Sequence, residues 1–334
     1  MFNFCTLFNS AYLSRGLAMY YSLLEQCDDF HLYIFAFDHE CLHTLLSLDL
    51  QSVTVVPLEE FENEELLAVK PDRTPGEYCW TCTSSTIWYC IHHYSLDHCT
   101  YIDADLLFFG NPKVLIEEMG NHSVLITEHR YTPQYDQSSS SGIYCVQFVT
   151  FKNDEQGLKV LSWWRDACLE WCYNRFEEGK FGDQKYLDDW TERFSAVHEL
   201  RHLGGGVAPW NTQQYHFKNN EKEVILHEIT TGKEAKVIFF HFHAFRYSQG
   251  NVFHLTADEY ILSENVIKLL YRPYAEALVR AENIIKAANP NVVYHEPLFE
   301  LSWLERVRGR KLMFILKGYY KNYFKRKKLL KIRF

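Results

Sequence analysis

Two carboxylates stand one residue apart in Tyr101-Ile102-Asp103-Ala104-Asp105, where an apolar run gives out. Side chains i and i+2 of a strand point to the same face, so Asp103 and Asp105 are expected to converge on one point. Two like charges held together without a positive partner shift a pKa sharply. A divalent cation satisfies both at once. The other reading of a bare Asp-x-Asp is an Asx turn closing a strand, and its surroundings must decide.

Those surroundings alternate. Phe2–Phe8 reads as a strand, followed by a helix from Ser14, its N-cap, to Gln26. A strand at His31–Phe37, a short helix at Leu42–Leu48 and a strand at Val53–Val56 complete βαβαβ. A helix over about Thr81–His93 leads into the strand bearing Asp103. Strands at Ser123–Thr127 and Tyr144–Phe151 flank a polar loop with four serines at 138–141, and a helix follows over Glu155–Asn174. Alternation at short intervals predicts an α/β fold, a mostly parallel sheet with helices on both faces. In such sheets ligands gather at the carboxyl ends of strands, which is where the Asp pair falls.

At 334 residues, 47% hydrophobic and 16% aromatic, the chain can build a large core and is far from the composition of disorder. No stretch of eighteen apolar residues occurs, and Met1-Phe2-Asn3-Phe4-Cys5 lacks a basic leader, so a cytoplasmic location is expected. Ten cysteines are too dilute for a disulfide scaffold. Cys79, Cys82, Cys90 and Cys99 are expected as buried thiols, because the second close-spaced pair of a zinc site is missing. The formal charge of −9 is uneven: residues 301–334 carry twelve Lys or Arg against one acidic residue, a net +11, leaving −20 on the rest.

Further motifs follow the Asp pair in order: Phe181-Gly182-Asp183-Gln184-Lys185-Tyr186-Leu187, Gly204-Gly205-Gly206, Ala208-Pro209-Trp210-Asn211 and Phe239-Phe240-His241-Phe242-His243. With the Asp pair they resemble the nucleotide-sugar glycosyltransferases of the GT-A fold, in particular the retaining family that includes glycogenin and bacterial lipopolysaccharide galactosyltransferases. The likeness spans roughly residues 2–247. It implies that Asp103, Asp105 and His241 hold Mn²⁺ (or Mg²⁺) bridging the donor diphosphate, with His243 as the fallback ligand. Oxygen ligands with one imidazole suit such an ion. The resemblance further implies Asp183 and Gln184 at the reacting carbon, and Thr6, Phe8, Asn9, Tyr12 and Ala104 at the nucleotide. Trp210 and Asn211 would border a sugar. The plainer readings are a helix N-cap for Asp183 and strand histidines for His241 and His243.

The chain departs from the family at two places. Cys145-Val146-Gln147 replaces an Asn-Ala-Gly-like step, and a thiol cannot reproduce an amide's hydrogen bonds. The lysine-bearing extension after the metal histidine is absent, leaving Arg246 as its substitute. A GT-A domain over 1–255 is expected, followed by C-terminal helices over 256–334 whose basic amphipathic end meets an anionic membrane surface. Nucleic acid is disfavoured by the acidic body. The expected activity is transfer of a hexose-type sugar from a nucleotide diphosphate donor, UDP foremost, to a glycan or lipid-linked acceptor in surface polysaccharide or lipopolysaccharide synthesis, at the inner face of the cytoplasmic membrane. The alternatives are a nucleotidyltransferase or nucleotide-sugar hydrolase, and a non-catalytic membrane-bound adaptor.

Overall fold

The computed structural model describes residues 1–221, 223–248, 251–295 and 321–331. Its main sheet has seven strands, β1 (Phe2–Phe8), β2 (Phe30–Ala36), β3 (Val53–Pro57), β4 (His98–Ile102), β6 (Val124–Glu128), β7 (Tyr144–Lys152) and β8 (Val197–Glu199). They lie in the order β3-β2-β1-β4-β7-β6-β8. Pairing is parallel from β3 through β4 and between β6 and β8, while β7 runs antiparallel to both neighbours. The sheet is therefore mixed and mostly parallel.

Both faces are covered, which is why the strands read as continuous apolar runs instead of alternating ones. On one face Phe4, Leu32, Ile34 and Phe148 pack with Leu17, Met19, Leu23, Ala281 and Ile285. These last five come from the helices Leu13–Gln26 and Arg272–Ala288. On the other, Phe35, Val149 and Phe151 pack with Cys82, Ile87, Trp164 and Trp190. A third cluster joins Phe217, Leu226 and Phe240 to Leu270, Tyr271 and Leu278. The Arg272–Ala288 helix thus packs in the same clusters as residues before 255.

Local chemistry fixes the helices that matter. Pro75–His93 opens with a capping box, Thr74 Oγ1 accepting from Glu77 N at 3.3 Å and Glu77 Oε2 accepting from Thr74 N at 2.8 Å. Pro75 occupies the first turn, where its missing N–H costs nothing. This helix begins six residues earlier than the apolar pattern alone indicated. Leu13–Gln26 starts one residue before Ser14, whose side chain is buried instead of capping. Gly16 is required within it, because a Cβ there would lie 2.4 Å from the Phe8 ring.

Smaller ladders complete the fold. β5 (Leu106–Phe108) pairs antiparallel with β12 (Phe239–His241), setting His241 opposite Leu106. β9 (Tyr215–Asn220), β10 (Glu223–Glu228) and β11 (Glu234–Lys236) form a separate three-stranded sheet. β13 (Arg246–Ser248), β14 (Val252–His254) and β15 (Tyr323–Lys325) form another. Thus part of the basic tail packs on the body: Leu329 is buried and Arg326 meets the buried Glu282. Lys321, Lys325, Lys327, Lys328 and Lys331 face outward. The remainder of the tail, 301–320 and 332–334, lies outside the described residues. Among the described residues no helix is long and apolar enough to cross a membrane.

Candidate metal centre and cavity

The Asp pair does not sit in a strand. β4 ends at Ile102, residues 103–105 turn, and β5 begins at Leu106. The turn is pinned by Asp103 N donating to Gln147 O at 3.1 Å and Phe242 N donating to Asp105 O at 3.1 Å. It still brings the carboxylates together, with the imidazole of His241 between them. His241 Nε2 lies 3.3 Å from Asp105 Oδ1 and 3.7 Å from Asp103 Oδ2. One ligand atom from each of the three residues falls within a 4.8 Å span.

The electrostatics of this trio are unresolved by protein alone. Burial, reinforced by Asp105, raises Asp103 to about 6 against the pull of His241. Burial works to raise Asp105 too, but the His241 charge outweighs it and holds it below the ordinary value. His241 is opposed by burial and nevertheless raised, chiefly by Asp105. Its Nδ1 is buried with no hydrogen-bond partner. Two carboxylates and one nitrogen form a donor set that fits Mn²⁺ or Mg²⁺, and such an ion would offset the Asp–Asp repulsion that His241 only half compensates.

The trio opens into a cavity of about 1010 Å³ at the carboxyl ends of the central strands. Phe8, Asn9, Tyr12, Ala104, Cys145, Asp183, Gln184, Trp210 and His243 all line it. Thr6, Gln147, Asn211 and Arg246 do not. Thr6 is fully buried inside β1. Gln147 lies entirely in the sheet interior, and Arg246 points to solvent. Asn211 is structural: its Nδ2 donates to His129 O and Gly206 O, each at 2.9 Å, and its Oδ1 accepts from Ala208 N at 3.0 Å. Trp210 donates to the same His129 carbonyl at 2.8 Å, which turns its ring toward His241, 5.5 Å between centroids. His243 lies beyond the end of β12, its ring 5.7 Å from that of His241.

Asp183 precedes a short 3-10 turn and caps no helix. Its backbone carbonyl accepts from Trp164 Nε1 at 2.9 Å, which fixes the backbone. Burial, then the nearby Asp103 charge, lifts its carboxyl to about 7, against hydrogen bonds that include Thr83. Gln184 Nε2 donates to Ser141 O, and Lys185 Nζ donates to Ser138 O at 2.9 Å. The serine loop is therefore tied to the Asp-Gln segment. Tyr12 is 39% exposed at the cavity mouth, with the Arg15 guanidinium 4.2 Å from its ring centroid. Arg15 is itself buried and donates to Phe245 O at 2.8 Å, joining the Tyr12 turn to the loop after His243.

Further residues line the cavity: Arg73, Trp80, Thr83, His129, Tyr131 and Tyr260. Trp80 and Thr83 lie in the run Tyr78-Cys79-Trp80-Thr81-Cys82-Thr83, which carries part of the family resemblance, and Tyr131 opens the polar loop; Arg73, His129 and Tyr260 had no sequence signal.

An α/β sheet that gathers two carboxylates and an imidazole over a large cavity at its strand ends defines an α/β protein with a candidate metal site at the place where such sheets bind ligands. The chain belongs to the family of the Bacillus subtilis (strain 168) protein YfnD, described as uncharacterized, with which it is 31% identical over 294 residues, 87% of this chain and 93% of YfnD. It is also 29% identical over 300 residues to YfnF of the same organism, described likewise. No protein-family model matches. Solved structures similar to the chain include an active-site mutant of LgtC, at TM-score 0.46 and 10% identity over 72% of this chain and 86% of that one. Mouse xyloside xylosyltransferase 1 is similar at TM-score 0.40 and 13% identity, over 60% of this chain and 84% of that one.

Proposed function

We propose that the protein is a metal-dependent GT-A glycosyltransferase that moves a hexose-type sugar from a nucleotide diphosphate donor to a glycan or lipid-linked acceptor. The observation that carries this reading is the Asp103–Asp105–His241 trio at the floor of the cavity. The ion, when bound, supplies Lewis-acid stabilisation of the negative charge that grows on the departing diphosphate.

The protein's own groups supply the rest. Tyr12 offers a flat, partly exposed ring on which a base such as uracil can stack, worth about 1–3 kcal/mol. Asn9 lines the same wall with a buried Oδ1 that lacks a hydrogen-bond partner, which suits a base N–H. Trp210 and Tyr131 give apolar faces for a sugar ring. In the transfer, the anomeric C–O bond to phosphate breaks and a C–O bond to the acceptor hydroxyl forms. Gln184, an amide, forms no covalent intermediate, but its oxygen can stabilise an oxocarbenium-like carbon, which suits retention by same-face substitution with the acceptor proton passing to the departing phosphate oxygen. Asp183, its carboxyl pushed up to about 7 by burial and then by the Asp103 charge, lines the cavity as the group to hold a sugar hydroxyl.

Surface polysaccharide or lipopolysaccharide synthesis is the setting we infer, with the protein at the inner face of the cytoplasmic membrane. Five outward lysines between Lys321 and Lys331 support that docking mode, each attracted by about 1 kcal/mol to an anionic surface. Incubation with a panel of nucleotide sugars and Mn²⁺, followed by nucleotide release, tests the activity. Slow, metal-dependent release from one sugar class is expected. No release from any donor, with intact Mn²⁺ binding, would remove the glycosyltransferase reading, and pyrophosphate release would replace it with nucleotidyl transfer.

A further inference from the structure

One stretch of the cavity wall is chemically unlike the rest. The Pro75–His93 helix presents Gly76, Trp80 and Thr83 along one face, and all three line the cavity. Thr83 ends the row at the Asp183 carboxyl, to which it is hydrogen-bonded. Trp80 lies flat beside this segment: a Cβ on Gly182 would sit 3.4 Å from the indole, and its ring centroid is 6.3 Å from that of Phe181. Such a half-buried indole next to a reacting group is a platform for a sugar face.

At the start of the row stands Arg73, also lining the cavity. Its guanidinium stacks 3.9 Å from the Tyr173 ring centroid and donates from Nη2 to Leu169 O at 3.4 Å. Its Nε is buried without a hydrogen-bond partner, and among the described residues no carboxylate lies within ion-pairing distance. The neighbouring charges are already committed. Lys70 is paired with Glu62 at 2.5 Å, and Glu77 accepts from Thr74 N and Asn174 N, each at 2.8 Å. Glu77 feels the Arg73 charge only as the least of the influences on it. An oriented guanidinium facing a cavity, with no ion-pair partner among the described residues, binds planar or tetrahedral oxyanions well, because its fork matches their geometry.

We propose that the Arg73–Trp80 wall is an acceptor subsite for an acidic sugar, one bearing a carboxylate or a phosphate. Trp80 takes the ring face, Arg73 takes the anion, and Asp183 lies beside the hydroxyl that accepts the transferred sugar. This rests on the glycosyl-transfer reading for its role, but the binding itself does not.

The full-length protein, without donor, is titrated with methyl glucuronide, glucose 6-phosphate and methyl glucoside by ligand-observed NMR. At least one charged sugar should bind roughly tenfold or more tightly than the neutral one, as a charge-assisted bond predicts. Which of the two prefers the site separates carboxylate from phosphate. Arg73→Gln should erase the preference, Arg73→Lys should restore part of it, and Trp80→Ala should weaken all three sugars alike. Equal affinity for charged and neutral sugars in the wild type overturns the proposal. So does Arg73→Gln weakening Mn²⁺–UDP while sparing methyl glucuronide, since the anion would then be the donor's diphosphate. A protein that binds methyl glucuronide through Arg73 yet releases nucleotide from no donor refutes the transferase reading and leaves the subsite standing.

Discussion

Two buried acidic centres of this protein are opposites. At the cavity, Asp103 and Asp183 are pushed up to about 6 and about 7, because burial and mutual repulsion exceed what His241 and Thr83 return. Some distance along the chain, the Glu282 side chain is 4% exposed, less than the 29% of Asp103, yet it sits at about 2. Burial opposes it too, but Lys286, Tyr247, Tyr294 and Arg326 all donate to its two oxygens, at 2.5–3.0 Å. A carboxylate with every lone pair answered is architecture. One left short of positive charge is waiting for something, and a functional site is where such a shortfall is tolerated.

That contrast can be broken by measurement. Asp105→Asn should lower nucleotide release by about a thousandfold, the scale expected when an electrostatic stabiliser of the transition state is lost. Far-UV circular dichroism should remain that of the wild type, and retained turnover would mean the trio is structural like Glu282. Glu282→Gln should do the reverse. Removing one partner of a buried ion pair costs about 3 kcal/mol, read by denaturant unfolding, with earlier proteolysis of residues 321–331 and unchanged Mn²⁺ affinity. Because its folded pKa of about 2 lies below the ordinary 4.5, Glu282 contributes stability that is full above about pH 4.5 and fades as pH falls through 2. Wild type and variant should therefore converge in acid.

Mn²⁺ affinity should fall at least about tenfold per unit as pH drops below 6, since Asp103 must lose its proton to bind, and should go on rising above 6, because His241, raised above its ordinary value, must lose one as well. Calorimetric titration at three pH values checks this, and a flat profile would take Asp103 out of the ligand set. The smallest effect is expected from Thr83→Val. Losing that hydrogen bond should raise Asp183 further and move the alkaline limb of the pH–rate profile upward by a fraction of a unit.

Much of the cavity side was legible in the sequence and almost none of the clamp was. Asp103, Asp105 and His241 announce themselves by residue type at the ends of apolar runs, and the βαβαβ start follows from local periodicity. The geometry was less accessible: the two aspartates meet through a turn instead of a strand face, because the distant Gln147 carbonyl accepts from Asp103 N and Phe242 N donates to Asp105 O, and these bonds shape the backbone. Asn211 carried a motif's look but has a scaffold's duties, a fact set by carbonyls of residues 129 and 206. Glu282, Arg326 and the β14–β15 pairing depend on contacts tens of residues apart, and no periodicity encodes them. Arg73 stayed hidden for the converse reason, as its meaning lies in the absence of a carboxylate partner among the described residues.

The three-residue ladder between β5 and β12 has a temporal implication. The aspartates leave the ribosome about 140 residues ahead of the histidine that completes their grip. A growing polypeptide can lay down the first strands of the main sheet early, but it brings no His241 imidazole to the Asp103–Asp105 turn until Phe239–His241 has zipped onto Leu106–Phe108. An ion held by the proposed trio would clasp together two segments joined by that three-residue ladder, so loading would coincide with the last steps of maturation and slow any later unzipping.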